Sequence, residues 1–262
     1  LRFTLDGKTY TSGVDIQPAE FYDLISSTDS FPTTSQPSSG EFAVLYRELT
    51  KSGEEILSIH ISSGLSGTMD SARTGASMVP EAKVTFFHSH TLSCPLGWQV
   101  QAAALAAKAG WSLDRILAKL GEISAKTEAM FTVATMKYLI HGGRISHLKG
   151  LVASMMNIKP IIGVEKIKGI YVTYGQDFTL KRSIHKMADK VLHWHKEGSK
   201  LRVQPLHGKN PEGATLMVEE LKKHFEVVLE PLTSIAPVLG AHTGPGLVGL
   251  AFAPADTFAD IL

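Results

Sequence analysis

The stretch Ile61-Ser-Ser-Gly-Leu-Ser-Gly-Thr-Met-Asp-Ser-Ala72 places hydroxyls and glycines where an apolar strand should end and a helix begin. Ser62, Ser63, Ser66 and Thr68 can donate hydroxyl hydrogen bonds, and Gly64 and Gly67 let the backbone come close enough for its own N–H groups to join them. A carboxylate or phosphate suits such a loop. One hydroxyl is enough for a helix N-cap, and this loop has four. A second candidate, Pro32-Thr-Thr-Ser-Gln-Pro-Ser38, precedes another helix start, so Thr34, Ser35 and Gln36 could offer donors there; alone, these read as ordinary cap and turn residues.

Several other patterns carry less. Gly64-Leu-Ser66-Gly67-Thr68 approaches the G-x-S-x-G elbow of serine hydrolases but has Thr68 where the second glycine belongs, and nothing in the sequence ties a histidine and an acid to Ser66. Gly244-Pro-Gly246-Leu-Val-Gly249 matches G-x-G-x-x-G, yet the segment after it, Val248 to Phe252, reads as a strand where a dinucleotide site needs a helix. His242, just before those glycines, could reach a ligand oxygen, although a lone histidine more often makes a structural hydrogen bond. In Gly142-Gly143-Arg144-Ile-Ser146 the guanidinium could project from a glycine turn toward phosphate or a carboxylate, with an internal ion pair as the plain alternative. The pairs His88/His90 and His193/His195 lack an acidic cluster to complete a metal site, and Met155-Met156 reads as core. No metal or cofactor is expected.

The elements that must position these groups alternate. Pro18 opens a helix; Ser38 and Glu41 have capping-box spacing ahead of Phe42, Leu45, Tyr46 and Leu49. Ile56 to Ile61 and Val84 to Phe87 read as strands, with helices toward Pro80, toward Gly110 and from Ser112, then a strand near Met130 to Ala134. That rhythm predicts a mostly parallel sheet flanked by helices. Beyond residue 135 the pattern becomes a helix, a hairpin at Pro160–Val164 and Gly169–Tyr174, a long helix over residues 180–194, a strand at Arg202–Leu206 and a helix capped by Asn210-Pro211. The expectation is an α/β protein of two lobes: residues 1–134, a mostly parallel sheet flanked by helices, and residues 135–262, a smaller mixed lobe. The ligand would sit in the cleft between them.

Composition bounds the partners. The 262 residues are 44% hydrophobic, enough for a sizeable core, and a net charge of +1 without a basic run gives no reason to expect nucleic acid or a lipid surface. Cys94 is the lone cysteine, which fits a reducing, cytoplasmic setting, and there is no signal peptide or apolar run long enough to span a bilayer. The chain starts on Leu1, which reads as a fragment.

Taken together, Thr33-Thr-Ser-Gln-Pro37, Ile61 to Thr68, Gly142-Gly-Arg-Ile-Ser146, Leu151 to Pro160 with its Asn157-Ile-Lys-Pro160, and Gly240-Ala-His-Thr-Gly-Pro-Gly246 resemble, in order and spacing, the DegV family of bacterial fatty-acid-binding proteins. The resemblance implies two α/β lobes with a long-chain fatty acid such as palmitate between them, and presentation of its carboxylate to a separate ATP-binding fatty-acid kinase subunit that makes the acyl phosphate, hence a role in phospholipid metabolism without chemistry of its own. It implies that Thr34, with Ser35 beside it, a serine of the 62–66 loop (Ser62, Ser63 or Ser66, next to Gly67) and His242 hold the carboxylate, and that Arg144 contacts the kinase. The chain departs from the family pattern in lacking the usual first strand with its Thr-Asp-Ser segment and in carrying His88-Ser89 where an Asp-Ser pair is usual. A serine hydrolase or other enzyme using the Ser62–Thr68 loop, and a lipid carrier without a kinase, are the competing readings.

Overall fold

The computed structural model describes residues 1–148, 150 and 158–261, so Met155-Met156 and most of the residue 151–160 motif lie outside the described residues. The chain opens with a hairpin, β1 (Arg2–Leu5) and β2 (Lys8–Thr11), turned by Asp6 and Gly7, both at positive φ. Helix α1 (Pro18–Ser26) follows, and then β3 (Thr33–Ser35), which pairs antiparallel with β1 so that Phe3 faces Thr34 in register. Phe3 is fully buried against Phe21 and Tyr10, which anchors the strand that carries Thr34.

Helix α2 (Ser39–Leu49) starts on the expected capping box, with the Ser38 hydroxyl accepting from the Glu41 N–H and the Glu41 carboxylate accepting from the Ser38 N–H. Strands β4 (Ile56–His60) and β5 (Val84–His88) form a parallel pair joined through α3 (Thr68–Ser77). Helices α4 (Ser93–Lys108) and α5 (Leu113–Lys126) pack on each other, with Ser112 capping the second.

Among the described residues the main sheet has seven strands. Its order is β10 (Glu226–Leu229), β9 (Lys200–His207), β12 (Val248–Pro254), β6 (Glu128–Thr132), β7 (Lys159–Val164) and β8 (Tyr171–Asp177), with the short β11 (Thr233–Ser234) beside β9. Only β10 and β11 run parallel to their neighbour β9; β12, β6, β7 and β8 pair antiparallel. Helices α7 (Leu180–Val191) and α8 (Pro211–Lys222) cover one face, with Ile184, Met187, Met217 and Leu221 against Val203, Leu250 and Phe252. Two short helices, α6 (Lys137–Gly142) and α9 (Pro237–Thr243), pack together and complete the described chain near the site.

The chain is therefore mixed α/β with a large sheet flanked by helices. Its strand arrangement differs in detail from the sequence expectation. In the first half the parallel part is one pair, β4 with β5; the larger sheet lies in the second half, has parallel pairing only where β10 and β11 meet β9, and recruits β6, whose residues precede 135; and β3 was not foreseen. Hydrophobic periodicity reports that a strand exists but not its neighbours, and a three-residue strand is too short to show a period.

Candidate functional site

A cavity of about 270 Å³ lies where β3, the β4–α3 loop, the α6 C-terminus, β8 and α9 meet. Its polar lining is Thr34, Ser35, Gln36, Ser66, Arg144 and His242, and among the described residues none of the lining is acidic. An anion there meets hydroxyl, amide, imidazole and guanidinium donors.

Thr34 and His242, 208 positions apart, are joined directly: Thr34 Oγ1 lies 2.8 Å from His242 Nε2. His242 stands in the last turn of α9, which ends at Thr243 with Gly244 as its cap. Its other nitrogen, Nδ1, is buried without a hydrogen-bond partner among the described residues. Burial, with smaller contributions from Arg144 and His141, pushes the imidazole down to about 4, so it is neutral at physiological pH. Gly142, at the end of α6, has a packing reason: a Cβ there would collide with His242 Nδ1.

The hydroxyl loop divides between two tasks. Ser66 lines the cavity, with its Oγ 2.8 Å from Thr68 Oγ1 and accepting the Thr68 N–H at 3.3 Å, at the threshold of α3. Gly67 sits against Gln36, whose amide would be 2.7 Å from a Cβ. Ser62 is fully buried and faces the loop itself. Its Oγ accepts the Gly64 N–H, its carbonyl accepts from Leu65 and Ser66, and its N–H donates to Thr91 O. Ser63 is exposed and turns to His88, whose Nε2 lies 3.1 Å from the Ser63 N–H and 2.9 Å from its hydroxyl. Neither Ser62 nor Ser63 lines the cavity. His88 thus holds the loop from outside, while His90, 3.9 Å away ring to ring, packs on it. Among the described residues no three His, Cys, Asp or Glu side chains gather as a metal-ligand set.

Arg144 is exposed at the cavity rim, its Nη1 donating to Gly142 O at 2.6 Å, and its charge is felt by both His242 and Tyr171. Residues outside the sequence motifs also form the site. Tyr171, Leu92 and Leu239 line the polar cavity and also an adjoining apolar chamber of about 50 Å³, walled by Met130, Phe131, Leu206, Ile235, Leu247 and Leu250. Burial raises the Tyr171 phenol, which stays protonated. The Gly244–Gly249 glycines lead from α9 into β12, a helix-to-strand order that leaves no phosphate-binding helix start.

A family model described as "Uncharacterised protein, DegV family" matches residues 1–255. The chain belongs to the DegV family. A DegV domain-containing protein of Deinococcus radiodurans is 36% identical over 233 residues, 89% of this chain and 80% of that protein. Among solved structures, a DegV-family protein from Thermus thermophilus, whose structure concerns fatty acid binding, superposes with a TM-score of 0.86 at 29% identity, covering 97% of this chain and 90% of the other. DegV from Bacillus subtilis, a fatty acid binding protein, gives 0.83 at 29% identity over 96% and 89%. The DegV architecture is thus shared over nearly the whole chain. Among the described residues no helix is long and apolar enough to cross a membrane.

Proposed function

We propose that this DegV chain binds a long-chain fatty acid such as palmitate and presents its carboxylate to a separate ATP-binding kinase subunit, in the cytoplasm, without catalysing a reaction itself and without a cofactor. The observation that carries this reading is the junction of two unlike spaces: a cavity with hydroxyl, imidazole and guanidinium donors, and no acid among the described lining residues, shares Leu92, Tyr171 and Leu239 with an apolar chamber. An amphiphile with an anionic head and an apolar tail matches both. Burying a sixteen-carbon tail at about 0.8 kcal/mol per methylene contributes on the order of 10 kcal/mol before association costs, against about 1–3 kcal/mol for each hydrogen bond to the carboxylate. The tail sets affinity and the polar cavity sets orientation.

Thr34, His242 and Ser66 are the head-group donors in this reading, with Ser35 and the Gly67 edge beside them, and Arg144 at the rim meets the kinase subunit or its phosphate donor. Ser62 and Ser63 shape the loop. The fatty-acid binding of the related DegV structures supports the ligand class. A serine-hydrolase reading finds less support, because the Ser66 hydroxyl is bonded to Thr68 and the cavity's imidazole to Thr34. Mass spectrometry of lipid extracted from purified protein, followed by an acyl-phosphate assay with an ATP-binding subunit, tests the proposal. A bound fatty acid and kinase-dependent product are expected. Esterase turnover by the chain alone, abolished by Ser66→Ala, would replace this reading with the hydrolase.

A further inference from the structure

The apolar chamber has a second neighbour. Ser93, Leu206, Ile235 and Leu239 line it and also a groove open to solvent on the side of α4 and β9. The groove's floor is polar and bonded within itself, apart from Arg202 Nη1, which is buried without a partner among the described residues. Trp98 Nε1 donates to Gln204 Oε1 at 3.1 Å, Gln204 Nε2 donates to Thr233 Oγ1 at 3.1 Å, and Arg202 donates through Nε to Glu230 at 2.8 Å and through Nη2 to Gln101 at 3.1 Å. Head cavity, apolar chamber and groove thus form a series in which each space shares side chains with the next.

Resting on the fatty-acid reading, we infer that the groove is an exit subsite for the ω end of the ligand. The chamber is open-ended, and the protein accepts acyl chains that outrun it, including long-chain fatty acids with a neutral polar ω group, ω-hydroxy acids in particular. The chemistry selects a neutral end. Arg202 already has Glu230 as its counter-ion, so a second carboxylate in the groove would face an acid, whereas a hydroxyl both donates and accepts beside Thr233, Gln204 or solvent. Inside the chamber the same hydroxyl would meet Pro95, Met130, Phe131 and Leu247, and the Thr243 hydroxyl there is already given to Leu239 O.

The test is a calorimetric series of saturated fatty acids of sixteen to twenty-four carbons, each with and without an ω-hydroxyl. A hydroxyl buried in an apolar wall lowers affinity by about 10–100-fold. The open-ended chamber predicts that this loss shrinks to under about threefold once the chain is long enough to emerge, and that the longer parent acids stay within about tenfold of palmitate. Gly97 gives an independent lever. It lies on the groove side of α4, exposed, with open space where a Cβ would stand, so Gly97→Trp fits the helix and fills the groove. It should widen the gap between palmitate and a twenty-two-carbon acid by about tenfold or more. A hundred-fold fall in affinity beyond palmitate, together with an undiminished hydroxyl loss at every length, would mean a blind chamber and overturn the inference while palmitate still binds. Failure to bind palmitate at all would instead defeat the fatty-acid reading on which it rests.

Discussion

The polar cavity and the apolar chamber share a wall of Leu92, Tyr171 and Leu239, and they are built in different ways. The cavity is assembled from chain ends and turns: β3, the β4–α3 loop, the α6 C-terminus and the last turn of α9, each fixed by a specific polar contact such as Thr34 to His242 or Arg144 to Gly142 O. The chamber is assembled from the middle of the sheet and its neighbours, where Met130, Phe131, Leu206 and Leu250 are held by strand pairing and offer apolar side chains to the space. Directional groups choose a geometry, whereas apolar surface contributes in proportion to area. Damage to the chamber should therefore change affinity most, and damage to the cavity should change presentation most.

Obstructing the chamber should have the largest effect. Ile235→Trp, at its wall, removes space for several methylenes, and the loss of about four at ~0.8 kcal/mol each lowers palmitate affinity by about 100-fold in a calorimetric titration. An unchanged affinity would move the tail elsewhere. On the polar side, acid should act on the unliganded protein through His242. Its folded value of about 4 lies below the unfolded value near 6.5, so the folded state binds fewer protons in that window. The stability conferred by the neutral imidazole is complete above about pH 6.5 and is lost as pH falls toward 4, on the order of 3 kcal/mol. Burial lowers His60, His88, His195 and His207 as well, so the His242 share is read as the difference in urea midpoints between wild type and His242→Asn across that window. A fatty acid carboxylate beside the ring opposes its desolvation, so the pH slope of the loaded protein should be shallower.

Next come the head-group donors. Thr34→Val or His242→Ala should weaken palmitate binding by about 1–3 kcal/mol and slow phosphoryl transfer by more, since a carboxylate displaced by about an ångström no longer meets its donor in line. The two losses should be less than additive in the double variant because the residues are partners. Within the loop the contrast is finer. Ser62→Ala should lower stability by about 1 kcal/mol and leave phosphoryl transfer intact, and Ser66→Ala should do the reverse, as denaturant melts and coupled kinase assays would read. The smallest effect on lipid affinity belongs to Arg144→Ala. An exposed cation at the rim contributes about 0–1 kcal/mol to binding, so the variant should keep its lipid and lose acyl-phosphate formation.

The difference between the two spaces also explains what could be read from the sequence. Hydroxyl, glycine and histidine motifs announce a polar cavity, and Thr34, Ser35, Ser66, Arg144 and His242 do converge on one. Which serine of the loop faces it was not legible. That choice depends on β4 ending at His60 and on Ser62 turning its hydroxyl back to the Gly64 N–H, both set by the neighbouring Thr91 backbone and His88. The role of Gly142 as a seat for His242 was hidden for the same reason: the two are 100 residues apart. The chamber left no trace, since Leu206, Leu250 and Ile235 look like any other core residues. Tyr171 was visible only as a strand residue of a hairpin. Antiparallel pairing of β6 with β12 and β7 was equally silent, because apolar runs look alike in parallel and antiparallel strands buried on both faces.

One titration tests the Thr34–His242 head-group site most directly: palmitate into wild type and into the Thr34→Val/His242→Ala double variant, by isothermal calorimetry at neutral pH. The prediction is saturable binding by both proteins, with the double variant weaker by about 10–100-fold, the loss of a bond to a charged head group against a retained tail. Equal affinities would place the carboxylate outside the Thr34–His242 cavity and contradict the account.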